Sequence, residues 1–119
     1  NIGSFQLEDT EYSQSLEKME DSSCKWEFKK TIATAKNSEE EVFQFSLKDL
    51  DTKEIDFKIS KKDLAIYIET KDNEKLVKYF KDGEPDDYQS DFLIHTSSIE
   101  QARNIIESFK RAIKGCKSK

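Results

Sequence analysis

Glycine, proline, histidine and cysteine are all scarce in this chain, and each scarcity removes a class of function. Three Gly and one Pro in 119 residues exclude collagen-like and Gly-rich linker sequences. They also leave few backbone positions able to approach a cofactor closely. No Gly-rich phosphate loop, no GxSxG elbow, no HExxH and no CxxC occurs, so the common nucleophile, nucleotide and zinc signatures are missing. The two cysteines, Cys24 and Cys116, cannot make a zinc site by themselves. No apolar run approaches the roughly 18 residues that span a bilayer. No basic face interleaved with base-stacking aromatics is present, which argues against nucleic acid. No cofactor is expected.

What the chain does have is charge and aromatic mass. Charged residues are 38 % of the sequence and hydrophobic residues 34 %, with eight Phe, four Tyr and one Trp. That aromatic content opposes disorder, and the length suits one domain. The net charge of −5 is unevenly placed. Glu8, Asp9, Glu11, Glu17, Glu20 and Asp21 are answered near the start only by Lys18, whereas Arg103, Lys110, Arg111, Lys114, Lys117 and Lys119 outnumber Glu107 at the end. Residues 1–23 therefore read as an acidic N-terminal segment, 24–116 as the domain proper and 117–119 as a frayed tail. The chain opens on Asn1 rather than Met; a processed or larger protein is expected, with an exported or cell-envelope location open.

The clearest element is a helix over residues 97–116. Ser97 and Ser98 offer N-caps, with Glu100 and Gln101 at capping-box spacing. Ile99, Ala102, Ile105, Ile106, Phe109, Ala112 and Ile113 recur at steps of three and four, a single apolar stripe. Arg103, Glu107, Lys110, Arg111 and Lys114 fall off it, and the last three suit the negative end of the dipole. Gly115 is expected to end the helix in a left-handed conformation.

Upstream, alternation predicts about six short strands. Cys24, Trp26 and Phe28 begin the first, and Phe43, Phe45 and Leu47 follow. Ile55, Phe57 and Ile59 come next, then Leu64, Ile66 and Ile68, then residues 76–80. The last is one strand over residues 88–95. Asp82-Gly83 is expected to open a loop through Pro85 to Asp87. Ile2, Phe5 and Leu7 can add a short strand, and Tyr12, Leu16 and Met19 suggest a short helix over residues 10–20. Short links join antiparallel neighbours. The expected fold is therefore α+β: an antiparallel β-meander, a partly open barrel, closed by a C-terminal amphipathic helix, with that short N-terminal helix in front.

An antiparallel meander closed by one C-terminal amphipathic helix resembles the pleckstrin-homology-like (PH-like) fold over roughly residues 24–116. The resemblance rests on element order. Phe109 stands where that family usually has a Trp in its closing helix. The spaced basic residues of phosphoinositide-binding members are represented near the first hairpin only by Lys29, Lys30 and Lys36, followed by Glu39, Glu40 and Glu41, so no lipid site is carried over. A helix-grip fold is the alternative, and it would enclose a cavity for an apolar ligand.

Candidate chemistry is thin. His95 is the only histidine. Asp91 shares its strand face but lies about 13 Å along the strand, too far for contact; a structural histidine is the expected reading. Cys24 and Cys116 form either one disulfide, closing a long loop, or two separate thiols, and the compartment decides. Glu84, Asp86 and Asp87 could offer oxygen ligands to a hard cation from their loop, though solvated turn residues are the expected reading. Tyr67, Val77 and Tyr79 are expected as an exposed patch, and Lys110, Arg111 and Lys114 as a basic one. Together these describe a non-catalytic binding module for an unknown protein partner. The alternative is a carrier or sensor holding a small apolar ligand between sheet and helix.

Overall fold

A computed structural model describes residues 3–7, 9–19, 24–50, 55–60, 63–96 and 98–117. Nine strands form among them: β1 (Gly3–Leu7), β2 (Thr10–Lys18), β3 (Lys25–Ala33), β4 (Ser38–Ser46), β5 (Asp56–Ser60), β6 (Asp63–Glu69), β7 (Val77–Lys81), β8 (Glu84–Gln89) and β9 (Asp91–Thr96). One helix, α1 (Ile99–Lys117), follows them. Every pairing is antiparallel. The class is α+β, with antiparallel sheets and a C-terminal helix, an arrangement compatible with a PH-like one.

The strands do not make a single meander or a closed barrel. They divide into a six-stranded sheet of order β1-β2-β3-β4-β7-β8 and a three-stranded sheet of order β5-β6-β9. The chain leaves the larger sheet after β4, builds the β5–β6 hairpin, returns for β7–β8, and crosses again at β9. The second crossing explains why residues 88–95 look like one strand. Alternation continues through the run, but Ser90 is a bend, and the two halves pair in different sheets.

The expected helix at residues 10–20 is strand β2. Tyr12 and Leu16 are four apart, an even spacing that puts them on one face of a strand as well as on one face of a helix. Gln14 between them is buried, as the two-residue period requires. The expected loop through Pro85 is strand β8. Asp82 and Gly83, with φ of 51° and 84°, make the two-residue turn that joins it to β7, the turn that Asp-Gly favours. Pro85 is tolerated because β8 is the outermost strand of the sheet, where no further strand needs its missing N–H. Glu84, Asp86 and Asp87 along the same strand are exposed and discourage pairing with another chain.

Helix α1 seals the space between the sheets. Ser98 accepts a hydrogen bond from the Gln101 backbone N–H at 3.1 Å, so Ser98 with Gln101 is the cap in use. Ala102, Ile106, Phe109 and Ile113 are buried, against β6, β9 and a short 3-10 turn at Leu47–Asp49. Ile99, at the first helical position, is 53 % exposed, and Ile105 is half-buried, so the buried stripe is narrower than the spacing suggested. Ile106, Phe109 and Ile113 together contribute about 5–9 kcal/mol of gross burial, comparable to the net stability of a small domain.

Gly115 does not end the helix, which continues to Lys117. Helical φ at this position needs no glycine, and a Cβ there would meet nothing within 4 Å. Gly115→Ala is therefore expected to raise stability by about 0.5–1 kcal/mol in denaturant unfolding. A loss of stability would mean that the residue takes the left-handed conformation after all.

Candidate functional site

The two sheets meet along a seam with two polar fastenings. Gln14 of β2 reaches the outer edge of β9. Its Nε2 donates to the His95 carbonyl at 2.7 Å, and its Oε1 accepts from the His95 N–H at 2.8 Å. The side-chain amide thus does for β9 what a neighbouring strand would do. Lys30 of β3 is buried, and its Nζ donates to the Leu93 carbonyl of β9 at 3.3 Å while lying 3.7 Å from Glu41. Lys30, one of the few basic residues near the first hairpin, is thus placed inside the fold.

His95 sits at this seam. Its ring is buried and stacks on Tyr12 with centroids 4.5 Å apart. Its backbone holds Gln14, and the residue takes part in joining the sheets. Among the described residues, no group of three or more His, Cys, Asp or Glu side chains could hold a metal ion. Glu84, Asp86 and Asp87, considered as oxygen ligands, lie along the exposed strand β8, whose alternation separates Asp87 from the face that Glu84 and Asp86 share.

The expected exposed patch of Tyr67, Val77 and Tyr79 does not form. Val77 is 1 % exposed, a core residue. Tyr79 is half-buried, with its ring 5.0 Å from Phe43. Tyr67 belongs to the other sheet. Both tyrosines point their hydroxyls at carboxylates. Tyr67 Oη lies 2.6 Å from Glu69 and 3.0 Å from Asp91, and Tyr79 donates to Glu41 at 2.5 Å. The hydrogen bond to Glu69, then burial and Asp91, push the Tyr67 hydroxyl above the usual phenol range. Burial first, then Glu41, do the same for Tyr79. Even spacing along β7 put Val77 and Tyr79 correctly on one face; the error was in which face is inward.

Lys110, Arg111 and Lys114 are exposed along the second half of α1. Beside the first half runs a groove of about 490 Å³ between α1 and β2. Its floor is Leu16, Ile105 and Phe109, and its rim carries Gln101, Asn104 and Ser108, with one carboxylate from Glu100. The groove opens to solvent. Under the helix itself the space is filled: Phe109 lies 5.8 Å from Trp26 and 6.2 Å from Phe45, ring to ring. The chain's only Trp thus packs against the helix from the sheet side. The sequence could not reveal the groove, because Leu16 is one of its walls and the strand carrying Leu16 read as a helix.

Cys24 and Cys116 are joined in a disulfide, with Cα atoms 5.9 Å apart. It ties the end of α1 to the residue before β3, across 92 positions of sequence. Both cysteines are buried. The continuation of α1 through Gly115 is what brings Cys116 to its partner.

No protein-family model, curated protein or solved structure matches this chain. Among the described residues, no helix is long and apolar enough to cross a membrane.

Two expectations follow. Cys24→Ser with Cys116→Ser is expected to lower unfolding stability by about 2–5 kcal/mol, since the bridge closes a long loop; an unchanged denaturation midpoint in oxidising buffer would contradict this. The tyrosine hydroxyls are harder to ionise folded than unfolded. Each therefore contributes stability that is complete below about pH 10 and lost as pH rises through the raised value. Tyr67→Phe and Tyr79→Phe should each soften the alkaline decline in stability between about pH 9 and 12, measured by denaturation at fixed pH steps. A decline as steep as that of the parent chain would count against the assignment.

Proposed function

We propose that this protein is a non-catalytic binding module, PH-like in arrangement, whose contact surface is the groove between β2 and α1. The observation that carries the reading is the apolar floor of Leu16, Ile105 and Phe109 beside a helix whose core side is already filled. The amides and hydroxyls of Gln101, Asn104 and Ser108 around that floor give the mixture of apolar anchor and polar rim that protein contacts use. The partner is a protein, and no catalytic role is assigned to any side chain. The disulfide suits an oxidising compartment, consistent with an exported protein.

A small apolar ligand is the second reading. The groove's volume falls within the range of ligand pockets, but ligand pockets usually surround their contents, and this one is open along its length. The two readings separate by NMR. Fragment-sized apolar probes should shift the resonances of Leu16, Ile105 and Phe109 at millimolar concentrations, and a long-chain fatty acid should not bind tightly. Stoichiometric low-micromolar binding of that fatty acid would replace the first reading with the second. No probe shifts at the groove would remove both.

A further inference from the structure

The turn between β3 and β4 sets an asparagine side chain against the next peptide. Thr34 and Asn37 clasp each other. The Thr34 N–H donates to the Asn37 carbonyl at 2.7 Å, and the Asn37 N–H donates to Thr34 Oγ1 at 3.1 Å. The Asn37 side chain folds along the chain, and its Oδ1 accepts from the N–H of Ser38 at 3.0 Å. Its Cγ is one C=O bond from Oδ1 and therefore lies within about 4.2 Å of the Ser38 nitrogen. Both residues are exposed, and the small side chain of Ser38 leaves the approach open.

Closing the Ser38 nitrogen onto Cγ makes a five-membered ring without a second molecule, the kind of step that held geometry accelerates. The N–Cγ bond forms, the Cγ–Nδ2 bond breaks, and the Ser38 N–H proton leaves with Nδ2 as ammonia. Water then opens the cyclic imide at one of its two carbonyls. One opening leaves aspartate. The other leaves isoaspartate, with an added methylene in the main chain.

Other positions lack this arrangement. The Glu74 N–H, after Asn73, donates to the Lys71 carbonyl at 3.3 Å, and the Ile105 N–H, after Asn104, lies within α1. Asp82-Gly83 is by sequence the dipeptide most open to ring closure, because glycine crowds nothing. Yet Asp82 Oδ1 accepts from the Glu40 N–H at 2.9 Å, which ties that carboxylate to β4. Asp56 and Asp86 do accept from the N–H that follows each of them, at 2.7 Å. An ionised carboxylate, however, resists a nucleophile more than a neutral amide does.

We infer that Asn37 is a site of spontaneous covalent modification, its side-chain amide lost through attack by the Ser38 backbone nitrogen. The conversion runs one way and adds a carboxylate beside Glu39, Glu40 and Glu41, so this end of the hairpin grows more acidic with age. In the isoaspartate product the lengthened main chain disturbs the register in which Ser38 faces Ala33.

The test ages the intact, oxidised chain in warm, mildly alkaline buffer, folded and in urea. Peptide mass spectrometry follows amide loss, and enzymatic methylation reads isoaspartate. In the folded chain Asn37 should gain the mass of an amide becoming an acid at least about tenfold faster than Asn73 or Asn104. Urea should not speed that conversion, whereas Asp82 should isomerise in urea and be protected when folded. Ser38→Val crowds the attacking nitrogen and suits a strand; it should slow the loss at Asn37. An Asn37 amide that outlasts those of Asn73 and Asn104, a loss that urea accelerates, Asp82 isomerising as fast folded as in urea, or a rate that Ser38→Val leaves unchanged would overturn the inference.

Discussion

Phe92 holds the two sheets together. It belongs to β9 in the smaller sheet, and its ring centroid lies 4.9 Å from Phe45, 5.3 Å from Phe43 and 5.7 Å from Phe28, all in the larger one. Ring pairs at these separations are favourable beyond the area they bury. Ile66, Ile68 and Ile94 complete the inner face of the small sheet, and the polar fastenings of Gln14 and Lys30 lie at its margin. The strands among the described residues divide between two sheets, and a sheet that ends leaves an edge to be covered. Here the edge of β9 is occupied by a glutamine side chain, and the outer strand β8 is guarded by proline and acids.

With the sheets fixed, α1 has one place to lie. Phe109 enters beside Trp26 and Phe45, and Ile106 and Ile113 fill the space above and below it. The disulfide from Cys116 then ties the end of the helix to the beginning of β3. The helix is wide enough to close the gap between the sheets but not to cover Leu16, and the groove is what remains beside it. The candidate surface is thus a consequence of how a helix closes two diverging sheets.

The buried polar groups carry structural duties. Lys30, His95 and Gln14 all lie on one side of the domain, where β2 and β3 face β9, and each is engaged there. Tyr67 and Tyr79 donate to carboxylates within their own sheets. In the sequence His95 stood out as the one histidine, and Tyr67 and Tyr79 as members of an expected exposed patch. In the fold Gln14 and Lys30 satisfy backbone groups of β9 that the meeting of the two sheets leaves without a strand partner.

The sequence by itself determined the α+β class, the antiparallel pairing, the helix with a serine at its start, and most strands from β3 onward. These follow from short-range periodicity, short connections and local capping chemistry, which neighbouring residues decide among themselves. It left the two cysteines open and misread β2, because an i,i+4 pair fits both periods. Only the tertiary structure decided which sheet each strand joined, that Val77 faces inward, that the helix runs past Gly115 to a disulfide, and that Leu16 meets Ile105 across a groove. Those outcomes depend on residues far apart in the chain sharing one space, where burial of the aromatic core outweighs local preference.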